Sequence, residues 1–483
     1  MAGDGRTIRS FAWSFLEQGG SKAVLMIVQI VLARILSPEA FGVLAIVLVV
    51  TSIADSIAQS GLGMALVQKT DADDRSYSTA WWISLVLAAV LYVIIFASAP
   101  FVASLYRIPD LEGYLRVLGI VVFFNSAISI QRSHLQRSLN FKPIFKSTTI
   151  AALASGVVGI VLAFLGFGVW ALVVQSLLQS VVTSLVMRFQ LRWKPRLFFS
   201  GREAWELFGY GWKICVTGIL NVLYSGVSEL VIGRACSASD LGLYSQGRKY
   251  PLAAIGVISN SIANVLFPTF SLVKNEKEVL RERLKQSLAV GSFMVAPLSL
   301  LFAALAEPLV AILLTEKWLP CVPIFQLTCL SNSVLMFQLV NLRAYMALGN
   351  SALYLKLQII KVLGGGGAIW ATAVISHDIY ATAIATFVVG ILSVLVVDMA
   401  PARRILGYGA LDQIRDQMPI FLLAIIAFSA AFFTSCLQIP YVAELLLQSL
   451  VFGVVFLGGA KLLHFKELDQ VTHVASGLLR RKS

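Results

Sequence analysis

Residues 31–37 read VLARILS and are followed by Gly42, and two hundred residues later residues 231–237 read VIGRACS and are followed by Gly242. A second pair keeps the same order, because residues 100–105 read PFVASL and residues 308–313 read PLVAIL. Ordered matches at nearly constant separation indicate an internal duplication. Repeats of this kind are typical of secondary transporters, whose substrate site lies near the midplane between the repeats. Transport is therefore the leading hypothesis for the function.

The composition indicates that lipid surrounds most of the chain. Of 483 residues, 58% are hydrophobic and 13% are charged, and the mean hydropathy is +0.83. A membrane-spanning helix needs roughly 20 mostly apolar residues, and the sequence contains about fourteen such runs. They start near residues 11, 40, 80, 113, 147, 168, 209, 241, 286, 321, 351, 379, 417 and 441. The expected fold class is an all-α integral membrane protein with about 14 transmembrane helices.

Two parallel six-helix lobes and two additional helices are the predicted domains. We expect an N-terminal lobe at 1–200, a C-terminal lobe at 201–405, and two further transmembrane helices with a cytoplasmic tail at 406–483. A shift of six helices preserves orientation, so the repeats should be related by an axis along the membrane normal. The basic, aromatic connector 188–212 joins them and is predicted to lie along the cytoplasmic interface.

Basic residues divide unevenly between alternate loops. About 30 of the 38 Lys and Arg residues fall on one side when the loops are counted from the N-terminus. This side includes Arg137, Arg196, Arg283, Lys361 and Arg481. The opposite loops hold Arg34, Arg107, Arg116, Arg234 and Lys317. The asymmetry predicts that both termini are cytoplasmic, and it explains the net charge of +13 without a nucleic-acid partner.

Motifs for catalysis and cofactor binding are missing from the sequence. It has no P-loop, no Gly-x-Ser-x-Gly and no zinc-protease signature. The four histidines stand apart, the five cysteines match neither a disulfide framework nor a zinc site, and Asp71, Asp73 and Asp74 are expected to form a solvated loop. We therefore predict no catalytic residue, no metal and no cofactor, and an ion gradient as the energy source.

Polar residues inside the first two spans are candidate functional groups, because a charge in the bilayer is costly. Glu17 and Lys22 flank a Gly-Gly pair that could bend the first helix, although an internal ion pair is the alternative. In the second span Asp55 and Gln59 are four residues apart and share a helix face. Asp55 is the best candidate for a functional carboxylate; a simple bond between neighbouring helices is the alternative.

Two further groups of polar residues fall on the seventh and eighth spans. A stripe at three- and four-residue spacing predicts a helix face toward a wet cavity; its members are Asn221, Tyr224, Ser225, Ser228 and Glu229. A pair between Glu229 and Arg234 is the alternative. In the eighth span the adjacent cations Arg248 and Lys249 precede Pro251, which can kink a helix. They are available to an anionic ligand unless they only neutralise Glu229 and Glu17. The glycine run 364–367 indicates either close helix packing or a helix break.

Several short segments along the chain form a recognisable series: LARILSPEAFG at 32–42, GLGMALVQ at 61–68, LQRSLNFK at 135–142, GFGVWAL at 166–172, IGR at 232–234, LYS at 243–245 and EKWLP at 316–320. They resemble motifs of bacterial polysaccharide exporters of the multidrug/oligosaccharidyl-lipid/polysaccharide superfamily. Their order and spacing extend the resemblance over almost the whole chain.

The resemblance implies a flippase of the bacterial inner membrane. Such a protein moves an undecaprenyl-diphosphate-linked oligosaccharide to the periplasmic leaflet by alternating access, for exopolysaccharide or lipopolysaccharide synthesis. Lys22, Arg248 and Lys249 would hold the diphosphate, while Asn221 and Tyr224 would meet the sugars. Asp55, Glu229 or Glu17 would couple transport to H⁺ or Na⁺. Membrane lipids, a polysaccharide polymerase and a chain-length regulator are the other expected partners.

Two alternatives remain at this point. A cation-coupled multidrug antiporter of the same superfamily would share the twelve-helix core, but it should favour acidic cavity residues and does not need two extra spans. A membrane polysaccharide polymerase or ligase would typically need a large periplasmic loop with catalytic Arg or His. The sequence contains no loop of that size.

Overall fold

The structure is a computed structural model. It describes the backbone of residues 2–59, 61–69, 73–138, 140–191, 193–437 and 439–470. Side chains are described for the same residues except 2–18, 68, 210, 213, 214, 264 and 351. Throughout these ranges the regular secondary structure is helical, as the composition predicts.

Two compact units divide the chain, Met1–Gly242 and Leu243–Ser483. The helices of the first unit are α1 Ala2–Ile35, α2 Pro38–Gln59, α3 Leu62–Gln68, α4 Asp74–Tyr106, α5 Leu111–Leu118, α6 Val121–Arg137, α7 Lys142–Phe164, α8 Val169–Gln190 and α9 Gly201–Ala235. Helix α10, Ala238–Leu272, begins in the first unit and continues into the second. The lobe boundaries near 200 and 405 concern the duplication and stay a prediction.

The second unit continues with shorter helices and irregular turns. Its helices are α11 Lys277–Ala304, α12 Ala306–Leu314, α13 Val322–Ser333, α14 Leu335–Ala347, α15 Ser351–Ile360, α16 Gly366–Ser376, α17 Ile379–Leu392, α18 Ala402–Leu406, α19 Ala410–Phe433 and α20 Tyr441–Leu462. Lys361–Gly365 and Ser393–Asp398 are π-helical, so each inserts a wider turn into a membrane helix.

The helix lengths confirm a multi-pass membrane fold. Among the described residues, twelve helices are long and apolar enough to span a bilayer, and the bent pair formed by α13 and α14 makes up to 13. The first predicted span lies partly outside the described side chains. The predicted count of 14 therefore stays a prediction, while the all-α membrane fold is confirmed.

Small residues allow the helices of unit 1 to pack closely. A Cβ added at Gly156 of α7 would lie 2.5 Å from Val28 of α1, so these backbones approach at a distance that only glycine permits. Buried polar contacts join the same elements, since Ser21 lies 2.7 Å from Thr148 and the Gln29 amide donates to Gln175. Small residues and interhelical hydrogen bonds are what stabilise helix pairs in lipid, where apolar burial gives no gain.

Helices α2 and α10 meet through a reciprocal backbone contact within unit 1. A Cβ at Gly42 would lie 1.8 Å from the carbonyl oxygen of Ala238, and a Cβ at Gly242 would lie 1.8 Å from that of Pro38. The two glycines are the equivalent residues of the repeated motif. Glycine is therefore required at both positions for the first turns of the two helices to touch.

The predicted extra helices α19 and α20 pack against α11 in unit 2. Phe293 of α11 and Phe456 of α20 lie with ring centroids 5.3 Å apart. On the other side, Asn341 of α14 and Gln413 of α19 exchange two buried amide hydrogen bonds of 2.8 and 3.0 Å.

The glycine run 364–367 begins in a π-helical segment, and a Cβ at Gly364 or Gly367 would meet nothing within 4 Å. Close packing is therefore absent at these two positions.

Candidate functional site

Asp55 is half-buried on α2 and bonds to α6. The Asn125 amide donates to Asp55 Oδ2 over 2.6 Å, so the carboxylate does connect neighbouring helices. Its Oδ1 is also buried and has no hydrogen-bond partner among the described residues. A carboxylate with one satisfied and one unsatisfied oxygen retains an acceptor for a proton or a cation. The candidate role of Asp55 stays a prediction alongside its structural contact.

The polar stripe on α9 is graded from exposed to buried. Asn221 and Ser225 are exposed, Tyr224 and Glu229 are half-buried, and Ser228 is buried. Helix α9 packs along α2, where Cys215 Sγ lies 3.6 Å from the carbonyl oxygen of Ser56. Lys22 is exposed on α1, whereas the side chain of Glu17 lies outside the described residues. In unit 1 Asn221 is thus exposed and Tyr224 half-buried, and their contact with a ligand stays a prediction.

Arg248 and Lys249 lie well inside α10 and take different environments. Arg248 is half-buried, with its guanidinium 5.3 Å from the centre of the Tyr244 ring, while Lys249 is exposed. Residues one apart on a helix point in different directions, which accounts for the divergence. Helix α10 continues through Pro251 as a single helix.

A small cavity lies beside Arg248 in unit 2. It has a volume of about 20 Å³, which is room for one or two waters, and α13 and α17 complete its walls. The Tyr244 hydroxyl lies 3.1 Å from the Thr386 hydroxyl at this cavity. A cation, an aromatic ring and hydroxyl groups thus surround a space of the size of a bound water.

Unit 2 contains a buried ion pair that was not predicted from the sequence. Lys361 Nζ lies 3.1 and 3.2 Å from the two oxygens of Asp398, and the side chains are 1% and 0% exposed. The Gln338 amide donates to Asp398 Oδ2 over 3.0 Å, and the Tyr345 hydroxyl donates to the Asp398 carbonyl oxygen over 3.0 Å. Lys361 therefore lies inside a membrane helix rather than in a loop, with its ammonium paired to a carboxylate, and its assignment to the cytoplasmic side stays a prediction.

One signal for this pair was present in the sequence. Asp398 is the lone acidic residue in the apolar run 379–400. An acidic residue in such a run marks a functional or pairing site. Its partner could not be read from the sequence, because Lys361 is 37 positions earlier.

The connector between α8 and α9 is fixed to α4 by polar contacts. The Trp82 indole donates to the Arg196 carbonyl oxygen over 2.8 Å, and the Arg196 amide donates to Ser78 Oγ over 3.0 Å. Lys69 pairs with Glu203 and Glu206 at the start of α9. Burial of the Lys69 ammonium opposes its charge, but the two carboxylates outweigh burial and raise the pKa of Lys69. The Lys69 ammonium and the Arg202 guanidinium lower the pKa of Glu206.

Comparison with known proteins identifies the family of this chain. The family described as "Polysaccharide biosynthesis protein" matches residues 31–323, more than half of the chain. The chain belongs to this family. A succinoglycan biosynthesis transport protein, ExoT of Rhizobium meliloti (strain 1021), is 28% identical over 327 residues. The match covers 68% of this chain and 66% of the relative, just under two thirds of its length.

Solved structures show the same architecture at low identity. Lipid II flippase MurJ in an inward closed conformation matches with a TM-score of 0.72 and 13% identity, covering 94% of this chain and 99% of that one. An inward-facing multidrug resistance MATE transporter of the MOP superfamily matches with a TM-score of 0.65 and 17% identity, covering 79% and 94%. These likenesses establish the fold.

Proposed function

We propose that this protein is a flippase that moves an undecaprenyl-diphosphate-linked oligosaccharide across the bacterial inner membrane, with both termini cytoplasmic. Membership of the polysaccharide biosynthesis family supports a role in polysaccharide export. The name of the relative, a succinoglycan biosynthesis transport protein, supports transport rather than catalysis. The substrate would serve exopolysaccharide or lipopolysaccharide synthesis, next to a polymerase and a chain-length regulator.

The adjacent cations of α10 are the observation that carries this proposal. Arg248 and Lys249 stand ten and eleven residues beyond Ala238, roughly 15 Å from the start of a membrane helix at 1.5 Å per residue. Ionisable residues at such depth in a membrane helix are functional candidates. A guanidinium such as that of Arg248 donates charge-assisted hydrogen bonds to a diphosphate. Lys249, which points in a different direction, and Lys22 of unit 1 stay candidate contacts. Asn221 and Tyr224 supply an amide and a hydroxyl of the type that binds sugars.

Ion coupling is assigned to the carboxylates of unit 1. Asp55 keeps one buried oxygen without a partner in the described part of the chain, which is where H⁺ or Na⁺ would bind. Glu229 is half-buried on the polar stripe and is the second candidate. Glu17 keeps this role as a prediction only, because its side chain lies outside the described residues.

The test removes the two cations together. In Arg248→Ala/Lys249→Ala we expect polysaccharide export to be lost at a normal protein level, and binding of undecaprenyl diphosphate in detergent to weaken at least about tenfold, since hydrogen bonds to charged groups contribute about 1.5–3 kcal/mol each. The matched control, Lys274→Ala/Lys277→Ala, removes two exposed charges at the start of α11 and should leave both measurements unchanged. Full export and unaltered binding by the first variant would remove the proposed anchor.

A further inference from the structure

A second site for the coupling ion is suggested by the ion pair of Lys361 and Asp398. Each residue lies in a π-helical segment, Lys361 as the first residue of Lys361–Gly365 and Asp398 as the last residue of Ser393–Asp398. Such segments are rare and frequently occur at functional sites. Two of them facing one another at a single buried pair indicate a place where the helices can rearrange.

The depth of the pair makes a purely structural role costly. Lys361 stands ten residues after Ser351, roughly 15 Å along its helix, and both side chains of the pair are almost fully buried, 1% and 0% exposed. Ionisable residues at such depth are functional candidates by default. Apolar residues of similar volume would usually stabilise the site equally well or better, so stability alone does not require the charges.

The surroundings of Asp398 favour a proton over a metal cation. Its carboxylate already accepts bonds from the Lys361 ammonium and from the Gln338 amide, at 3.0 to 3.2 Å. A sodium ion would need the space that the ammonium occupies, together with several oxygen ligands. A proton needs no space, because it binds directly to a carboxylate oxygen.

We infer that the Lys361–Asp398 pair is a proton-exchange site that opens unit 2 when it is protonated. A proton from water adds to a carboxylate oxygen of Asp398, and the charge of the site changes from zero to plus one. Lys361 then has no counter-ion in a dry environment, so its ammonium must move toward water. The two π-helical segments separate as it does so, and loss of the proton to water restores the pair.

Few other ionisable groups can modify this exchange. From α14 the pair is faced by Tyr345, which donates to the Asp398 carbonyl oxygen, and by the uncharged Gln338. From the π-helical segments it is faced by Lys361 and Asp398 themselves. Among the described residues that form a hydrogen bond with the pair, Tyr345 is the one titratable group, and it bonds to the backbone rather than to the carboxylate.

The main experiment measures local opening and needs no substrate. Amide hydrogen exchange of residues 358–366 and 393–399 is followed in the purified full chain as the pH is lowered, with correction for the intrinsic exchange rate. We expect exchange in wild type to rise at least tenfold at acid pH. In Lys361→Met/Asp398→Leu, which removes both charges and leaves neither unpaired, the rise should disappear. In the Asp55→Asn variant it should remain.

A second pair in the same unit is the matched control. Lys285 and Asp416 lie 3.8 Å apart and are 37% and 42% exposed, so Lys285→Met/Asp416→Asn removes the same charges from a solvated position. This variant should keep the acid-dependent opening of wild type. The inference is overturned if the Lys361/Asp398 double variant keeps the wild-type pH response, or if Na⁺ rather than acid opens the segments.

The role in transport rests on the proposed function and has its own measurement. Uptake of a lipid-linked oligosaccharide into proteoliposomes should be stimulated severalfold by a proton gradient in wild type and in the Lys285/Asp416 control. In the Lys361/Asp398 double variant the proton gradient should no longer stimulate uptake. If wild type moves no such substrate, the proposed function fails, while the exchange experiment still decides whether this pair opens with acid.

Discussion

Substitution of Gly42 by alanine should separate the first turns of α2 and α10. The added Cβ would lie 1.8 Å from the carbonyl oxygen of Ala238, whereas real Cβ contacts essentially never fall below 3.0 Å. The two backbones must therefore move apart by at least 1.2 Å, because the clashing atom belongs to a backbone and cannot rotate away. Gly242→Ala produces the same clash with Pro38 from the other side.

The free-energy cost follows from two opposing effects. Overpacking costs about 1–3 kcal/mol, while alanine is better than glycine inside a helix by about 0.5–1 kcal/mol. The net loss is about 1–2 kcal/mol for each variant, which favours the separated helix ends by about 5- to 30-fold. If transport requires this contact to form and break, export falls in both variants even though no ligand-binding residue is changed.

Cys236 provides a local probe of this contact. It caps the end of α9, is half-buried, and lies two residues before Ala238. We expect a membrane-impermeant maleimide to label Cys236 about 5- to 30-fold faster in Gly42→Ala than in wild type, as measured by peptide-resolved mass spectrometry. Gly453→Ala is the control, because a Cβ there meets nothing within 4 Å in the middle of α20.

The result that would refute the reasoning is equally specific. Wild-type labelling and wild-type export in both Gly42→Ala and Gly242→Ala would mean that the helix ends do not touch in the membrane. An equal increase of labelling in Gly453→Ala would attribute the effect to general destabilisation rather than to the contact.

Three further predictions concern other contacts. Asp55→Asn should weaken gradient-driven uptake while binding of undecaprenyl diphosphate stays at the wild-type level; unchanged gradient stimulation would exclude Asp55 as a coupling group. Gln413→Leu should lower the free energy of unfolding by about 1–3 kcal/mol, because it leaves the buried side-chain oxygen of Asn341 without its donor, while the Asn341 amide keeps its bond to the Phe337 carbonyl oxygen. The double variant Asn341→Leu/Gln413→Leu should recover most of this lost stability. If the losses of the two single variants add in the double variant, the reciprocal bonding is contradicted. At the connector, the raised pKa of Lys69 means that its contribution is complete below pH 10.5 and is lost as the pH rises through the folded value. The lowered pKa of Glu206 means that its contribution is present above pH 4.5 and is lost as the pH falls through the folded value. The rate of limited proteolysis within residues 193–200 should therefore be constant between these two pH limits and higher outside them. A rate that increases near neutral pH would argue against the contact of Lys69 with Glu203 and Glu206.

Part of the candidate site could be predicted from the sequence. The cations at 248 and 249, the stripe that ends at Glu229 and the carboxylate of Asp55 stand out because polar residues are rare within apolar runs. Their helices are where the hydropathy predicts them. The partner of Asp55 could not be predicted from the sequence, because Asn125 is 70 positions away and on another helix.

Sequence by itself determined the membrane class, the helical architecture and the family. These properties depend on composition and on short ordered motifs, which act locally or are inherited as strings of residues. Lipid requires each spanning segment to satisfy its own backbone, so the hydropathy of a segment almost fixes its structure.

Tertiary structure alone decided which residues meet. The periodicity of a helix tells which side chains share a face, but it carries no information about the element that covers this face. The contact of Gly42 with Ala238 and the pairing of Lys361 with Asp398 both join separate helices. Lys361 illustrates the reason most clearly: the same ammonium that would stay in water at a loop is stable inside unit 2 because one carboxylate, brought by a different helix, neutralises it.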